Sequence, residues 1–211
     1  MATVTAIDKI NKLERKSLPF EQFFGEMELT PEQKRKRTVL AEDIEDAVLF
    51  LFSIYLVAKE YDREVDRIAA AEEYEEQLRE ALRKAQIDED VIDQYIEDVA
   101  REEARVTAKR YLEDEYWTSE DRAKLIAEND SNTCYNGQEF VDAVKSGKTE
   151  KQWKSMKDFR VRRTHREVDD VVVPISEPFV VGDSLMMYPR DTSLGASMDE
   201  IANCRCTVSY R

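Results

Sequence analysis

Glycine is scarce in this sequence, at five residues in 211, and that scarcity removes several functions at once. A phosphate-cradling loop of the Gly-x-x-x-x-Gly-Lys or Gly-x-Gly-x-x-Gly type needs clustered glycines, and none is present. No Gly-x-Ser-x-Gly element marks a hydrolase nucleophile either. Proline is equally rare, at five, and beside the high charge content the two low counts describe a helix-rich soluble protein. Cysteine is limited to three residues. An odd number makes no disulfide framework, and Cys204-x-Cys206 is too tight for an easy bridge. A reducing, cytoplasmic setting is the simple reading.

Long apolar runs are missing as well. The most apolar stretch, 47–58, centres on Val48-Leu49-Phe50-Leu51-Phe52 and is bounded by Asp46 and Lys59. It is well short of the roughly 20 residues a membrane span requires. A wholly buried helix in a bundle is the better expectation, with no membrane contact. Residues 1–16 mix charges with short apolar groups and do not read as a signal peptide.

Charge is abundant instead, at 37% of residues, with a formal net of −14. The imbalance is uneven: residues 1–115 carry roughly −12 and residues 116–211 roughly −2. The acidic half repels nucleic acid, so any DNA contact must come from the C-terminal half.

The expected fold class is α+β. An acidic N-terminal helical bundle or arm, residues 1–115, precedes a small mixed α+β domain, residues 116–211. Ile7, Ile10 and Leu13 predict a short amphipathic helix over 4–18, and Phe20, Phe23 and Phe24 follow as a core-facing linker. Thr30-Pro31-Glu32 starts a long helix, expected to reach about Asp66. Further helices are expected over 70–85 and 88–113. Two more, from Thr118 or Ser119 to about Ala127 and over 131–146, end at Gly147. Strands are expected around 152–156, 171–175 and 206–210.

The chemically able side chains concentrate between Asp158 and Cys206. His165 is the sole histidine, and Cys204 and Cys206 bracket one residue. Thiolates and imidazole suit zinc, with Asp158 as a fourth ligand, and such a staple would brace a small domain. The alternative is two half-buried cysteines on an edge strand and a hydrogen-bonded core histidine. Nucleophilic catalysis would need His165 as base, Cys204 or Cys206 as nucleophile, and Asp158 or Asn203 as orienter; no element of the sequence sets that geometry, and no enzyme is expected. A basic run, including Lys148, Lys151, Lys154, Lys157, Arg163 and Arg166, forms a local positive patch for DNA or an acidic partner surface. Arg160 and Arg162 suit loop-holding contacts to carboxylates.

The ordered set of Lys151 and Trp153, Asp158 with Arg160 and Arg162, His165, Phe179, Tyr188-Pro189 and Asn203-Cys204-Arg205-Cys206 resembles the phage Mu F-like minor head protein family. Asn132, Tyr135 and Asn136 also match. The resemblance covers about residues 120–210. It implies a minor head protein of the virion interior, assembled in the bacterial host cytoplasm, that contacts the portal protein, with capsid or scaffolding protein and packaged DNA as further partners. Three departures stand out. Val168-Asp169-Asp170 takes the place of a Leu-Asp-Gly, Arg190 replaces the usual Gly before Asp191, and Glu128-Asn129-Asp130 replaces an Arg-Thr-Glu triplet. The alternative function is an enzyme, nuclease- or transferase-like, working around His165 and Asp158.

Overall fold

The computed structural model describes residues 19–211; the helix expected over 4–18 lies outside them. Helix α1 (Phe20–Gly25) turns the expected phenylalanine linker into a helical turn that buries Phe20 and Phe24. Helix α2 (Pro31–Glu60) opens with a full capping box: Thr30 Oγ1 accepts from the Gln33 amide and Gln33 Oε1 accepts from the Thr30 amide.

Helix α2 stops at Glu60, short of the expected Asp66, because Asp66 caps the next helix, α3 (Arg67–Lys84). The apolar run within α2 is also buried on one face only. Val48, Leu51, Phe52, Tyr55 and Ala58 are inside, while Phe50 is exposed.

The helix expected over 88–113 is present and runs without a gap from Glu89 to Arg110, as α4 (Glu89–Tyr95), a π-helical turn (Ile96–Ala100) and α5 (Arg101–Arg110). A short 3-10 turn (Glu115–Thr118) leads to helix α6 (Glu120–Lys145), capped by Ser119. The break expected inside α6 is absent. Asn129 and Thr133 stay helical by hydrogen bonding to the carbonyls one turn back, Asn129 Nδ2 to Leu125 O and Thr133 Oγ1 to Asn129 O. Their remaining polar capacity faces other elements.

Strand β1 (Glu150–Lys154) is the centre of a three-stranded antiparallel sheet, flanked by β2 (Val172–Pro174) and by the C-terminal β5 (Thr207–Tyr210). Trp153 pairs with Val208, which sets the register to β5. Short helix α7 (Arg163–Glu167) precedes β2, and β3 (Phe179–Val181) with β4 (Ser184–Met186) makes a separate hairpin. Helix α8 (Met198–Ile201) precedes the segment from Asn203 to Cys206. The fold is therefore α+β, helices first and strands last.

Two hydrophobic cores result. The first runs from Phe20 to Tyr135 and unites α1 to α6; the second, around Trp153, Phe179, Met186, Cys204, Cys206 and Val208, lies under the sheets. The first core draws on both sides of the expected 115/116 boundary, since α6 supplies Ala123, Ala127, Cys134 and Tyr135 to it.

Candidate functional site

Helix α7 and the segment before β5 place three groups together. Nδ1 of His165 lies 3.5 Å from Cys204 Sγ and 3.4 Å from Cys206 Sγ. The ligand-capable atoms of all three residues fall within 4.8 Å of one another. His165, Cys204 and Cys206 are each at most 3% exposed, so the expectation of half-buried edge-strand cysteines fails. The positive φ of Asn203, 54°, turns the chain so that both sulfurs of the Cys-x-Cys face inward.

On its other side, His165 Nε2 lies 3.0 Å from Glu200 Oε2, and Thr164 Oγ1 donates to the same oxygen at 2.8 Å. Glu200 is the orienting carboxylate that the sequence reading missed. Its spacing of four from Cys204 was the available signal.

Asp158, expected as a fourth ligand, is elsewhere. It accepts two hydrogen bonds from Arg205 Nη2, at 2.7 and 3.0 Å, and one from the Arg160 amide. These contacts outweigh the upward push of burial and hold its carboxyl below the ordinary range. Asn203, the other expected orienter, accepts instead from Asn129 Nδ2.

The three groups bias one another electrically. Hydrogen bonding from the Cys206 thiol holds Cys204 well below the usual thiol range against burial, and His165 adds to the effect. Cys206 is correspondingly pushed well up, first by its bond to Cys204 and then by burial. Burial pulls His165 down, but its contact with Cys204 leaves it raised. The Trp153 indole N–H is buried without a hydrogen-bond partner, beside Cys206.

The motif residues outside this cluster brace the second core against the helices. Arg160 Nη2 donates to Glu26 Oε2 at 2.7 Å, and Arg205 reaches both Asp158 and Glu26. Arg162 Nη2 donates to the Ala202 carbonyl. Buried Arg37 on α2 donates to Asn132 and Asn136 and forms an ion pair with Glu139, all on α6. The amides of Asn132 and Asn136 in turn donate to the carbonyls of Cys204, Cys206 and Pro189. Arg37 was not singled out in the sequence; an arginine in the apolar stripe of a capped helix was its only trace.

The expected basic patch is largely consumed internally. Lys151 is fully buried, donates to the Met187 carbonyl at 2.8 Å and sits between the rings of Phe140 and Phe179. Burial pulls its amine down to about 8. It is a core lysine, not a DNA or partner contact. Lys154 and Lys157 both pair with Asp170, and these contacts hold its carboxyl down at about 2. Arg163 pairs along its own helix with Glu167. Lys148 and Arg166 remain exposed.

A second polar site lies between the two cores. A cavity of about 210 Å³ is lined by Glu103, Asn129, Asp130, Thr133, Arg190 and Ile201, among others. Arg190 donates to Thr133 Oγ1, Asn129 Oδ1 and the Ile201 carbonyl, with Asp130 3.9 Å away. Burial raises both Glu103 and Asp130; Arg190 and a hydrogen bond from Tyr95 oppose the rise at Asp130.

The three departures from the family pattern have definite places in the structure. Arg190 and Asp170 both stand at positive φ, 70° and 62°, the left-handed region where glycine has no Cβ penalty. Asn129 and Asp130 face Arg190 directly, so two of the departures meet in space.

The family model described as Phage Mu protein F like protein matches residues 71–209. The chain belongs to that family. No curated protein and no solved structure matches it.

Proposed function

We propose that this protein is a minor head component acting in phage head morphogenesis, docking at or near the portal during procapsid assembly. The family match carries the reading, because it spans most of the helical core and the whole sulfur-bearing module. Virion location and capsid-type partners follow from the same membership.

The geometry supports an interaction role over catalysis. A nucleophile–base–orienter row exists in Cys204, His165 and Glu200, but both sulfurs and the imidazole are buried in the second core. Asp158, which the enzymatic alternative placed in a site with His165, is paired with Arg205.

The surface carries side chains suited to a protein partner. Phe159 is 90% exposed and Ile68 72% exposed, while none of the helices among the described residues is long and apolar enough to cross a membrane. Contact with packaged DNA has weaker support, since Lys151 is buried and Lys154 and Lys157 are paired.

Co-purification with the cognate portal protein tests the proposal. Association at micromolar concentration that Phe159→Ser weakens is the expected result. With both partners folded, an absence of association would reject portal docking. A salt-dependent shift of duplex DNA by the protein alone would restore the DNA reading.

A further inference from the structure

Nδ1 of His165 is nearly equidistant from two sulfurs, at 3.4 and 3.5 Å. A single in-plane lone pair or N–H cannot point at both, so one hydrogen bond does not account for the arrangement. A tetrahedral metal does. Zn–S and Zn–N bonds of about 2.3 and about 2.0–2.1 Å put the N···S edge of the tetrahedron at about 3.5 Å.

The surroundings fit the same ion. His165 Nε2 faces the Glu200 carboxylate at 3.0 Å, leaving Nδ1 as the ligand atom, and Thr164 holds that carboxylate in turn. A metal-bound imidazole commonly hands its other nitrogen to such a partner. The Cys206 amide lies 3.5 Å from Cys204 Sγ and donates to it, and the unpartnered Trp153 N–H lies beside Cys206. Both donors favour sulfur in its anionic form. Two thiolates, one neutral imidazole and a divalent cation sum to zero charge, the arrangement that costs least in a buried site.

We propose that His165 Nδ1, Cys204 Sγ and Cys206 Sγ bind one zinc ion; no fourth His, Cys or carboxylate group joins the three among the described residues. The ion ties helix α7 to the segment entering β5, two pieces about 40 residues apart in sequence. The second core they share is small and its strands are three to five residues long, so a metal link adds to its stability. The site is independent of the role in head assembly: either can fail while the other stands.

Elemental analysis of the full chain purified from zinc-replete cells should find one zinc per chain. A chelator should remove it and lower Tm. Cys134 lies in the other core, so Cys134→Ser should keep the metal and Cys204→Ser should lose it. Should Cys204→Ser fail to fold, cobalt(II) loading of the wild-type chain decides: thiolate-to-cobalt charge-transfer absorption supports the site. Metal-free protein whose Tm ignores zinc and chelator alike, or cobalt without thiolate absorption, overturns it.

Discussion

Arg37 Nη2 donates to Asn136 Oδ1 at 3.2 Å, joining residues 99 positions apart inside the protein. The Asn136 amide then donates to the carbonyls of Pro189 and Cys206, at 3.1 and 3.2 Å. One side chain thereby connects the long helix α2, the turn after β4 and the cysteine segment. Asn136→Ala should cost about 3 kcal/mol, because it leaves buried partners on three elements unsatisfied. Urea unfolding measures this, and a loss below about 1 kcal/mol would show that water replaces the amide.

Gly137, the next residue on α6, gives a contrary expectation to helix propensity. Alanine is favoured over glycine in a helix by about 1 kcal/mol. A Cβ here would meet Val91 Cγ1 at 2.9 Å and Tyr188 Oη at 3.2 Å. Gly137→Ala should therefore destabilise by about 1–2 kcal/mol net. A rise in the denaturation midpoint would mean that α4 and the Tyr188 loop yield easily.

At Arg190, backbone and side chain pull in opposite directions. Its φ of 70° carries the left-handed cost, while its guanidinium satisfies Thr133, Asn129 and the Ile201 carbonyl. Both Arg190→Ala and Arg190→Gly lose those bonds, but only glycine relieves the backbone. The glycine variant should be the more stable of the two by about 1 kcal/mol. Guanidinium chloride titrations of the pair, compared at equal m-values, give the answer.

Burial raises the Glu128 carboxyl to about 7, with Lys124 opposing. The folded pKa lies above the unfolded one, so the folded chain binds the extra proton. The penalty is therefore full above about pH 7 and is relieved as pH falls towards about 4.5. Glu103 and Asp130 are raised too and slope the same way. Tm should rise between about pH 8 and about pH 5, and Glu128→Gln should flatten part of that rise. An unchanged slope in Glu128→Gln would assign the dependence to the buried pair alone.

Local signals read well where the cause is local. Thr30-Pro31 and Ser119 mark helix starts because a cap needs only its own next turn. The break expected near Asn129 failed for the converse reason: polar residues look like helix breakers until a distant guanidinium gives them a partner. Lys151 misled similarly, since a lysine in a basic run reads as surface until two aromatic rings are seen to enclose it.

The sequence by itself determined the helix-then-strand order, the family, and which rare residue types were available for a site. It gave His165, Cys204 and Cys206 as candidates because their chemistry is intrinsic to the side chain. Only the tertiary structure decided that Glu200, not Asp158, faces the histidine, and that Asp158 belongs to Arg205. Pairings of that kind depend on where the chain turns at Asn203 and Arg190. Those turns are fixed by packing and hydrogen bonds between segments far apart in sequence, which no local pattern encodes.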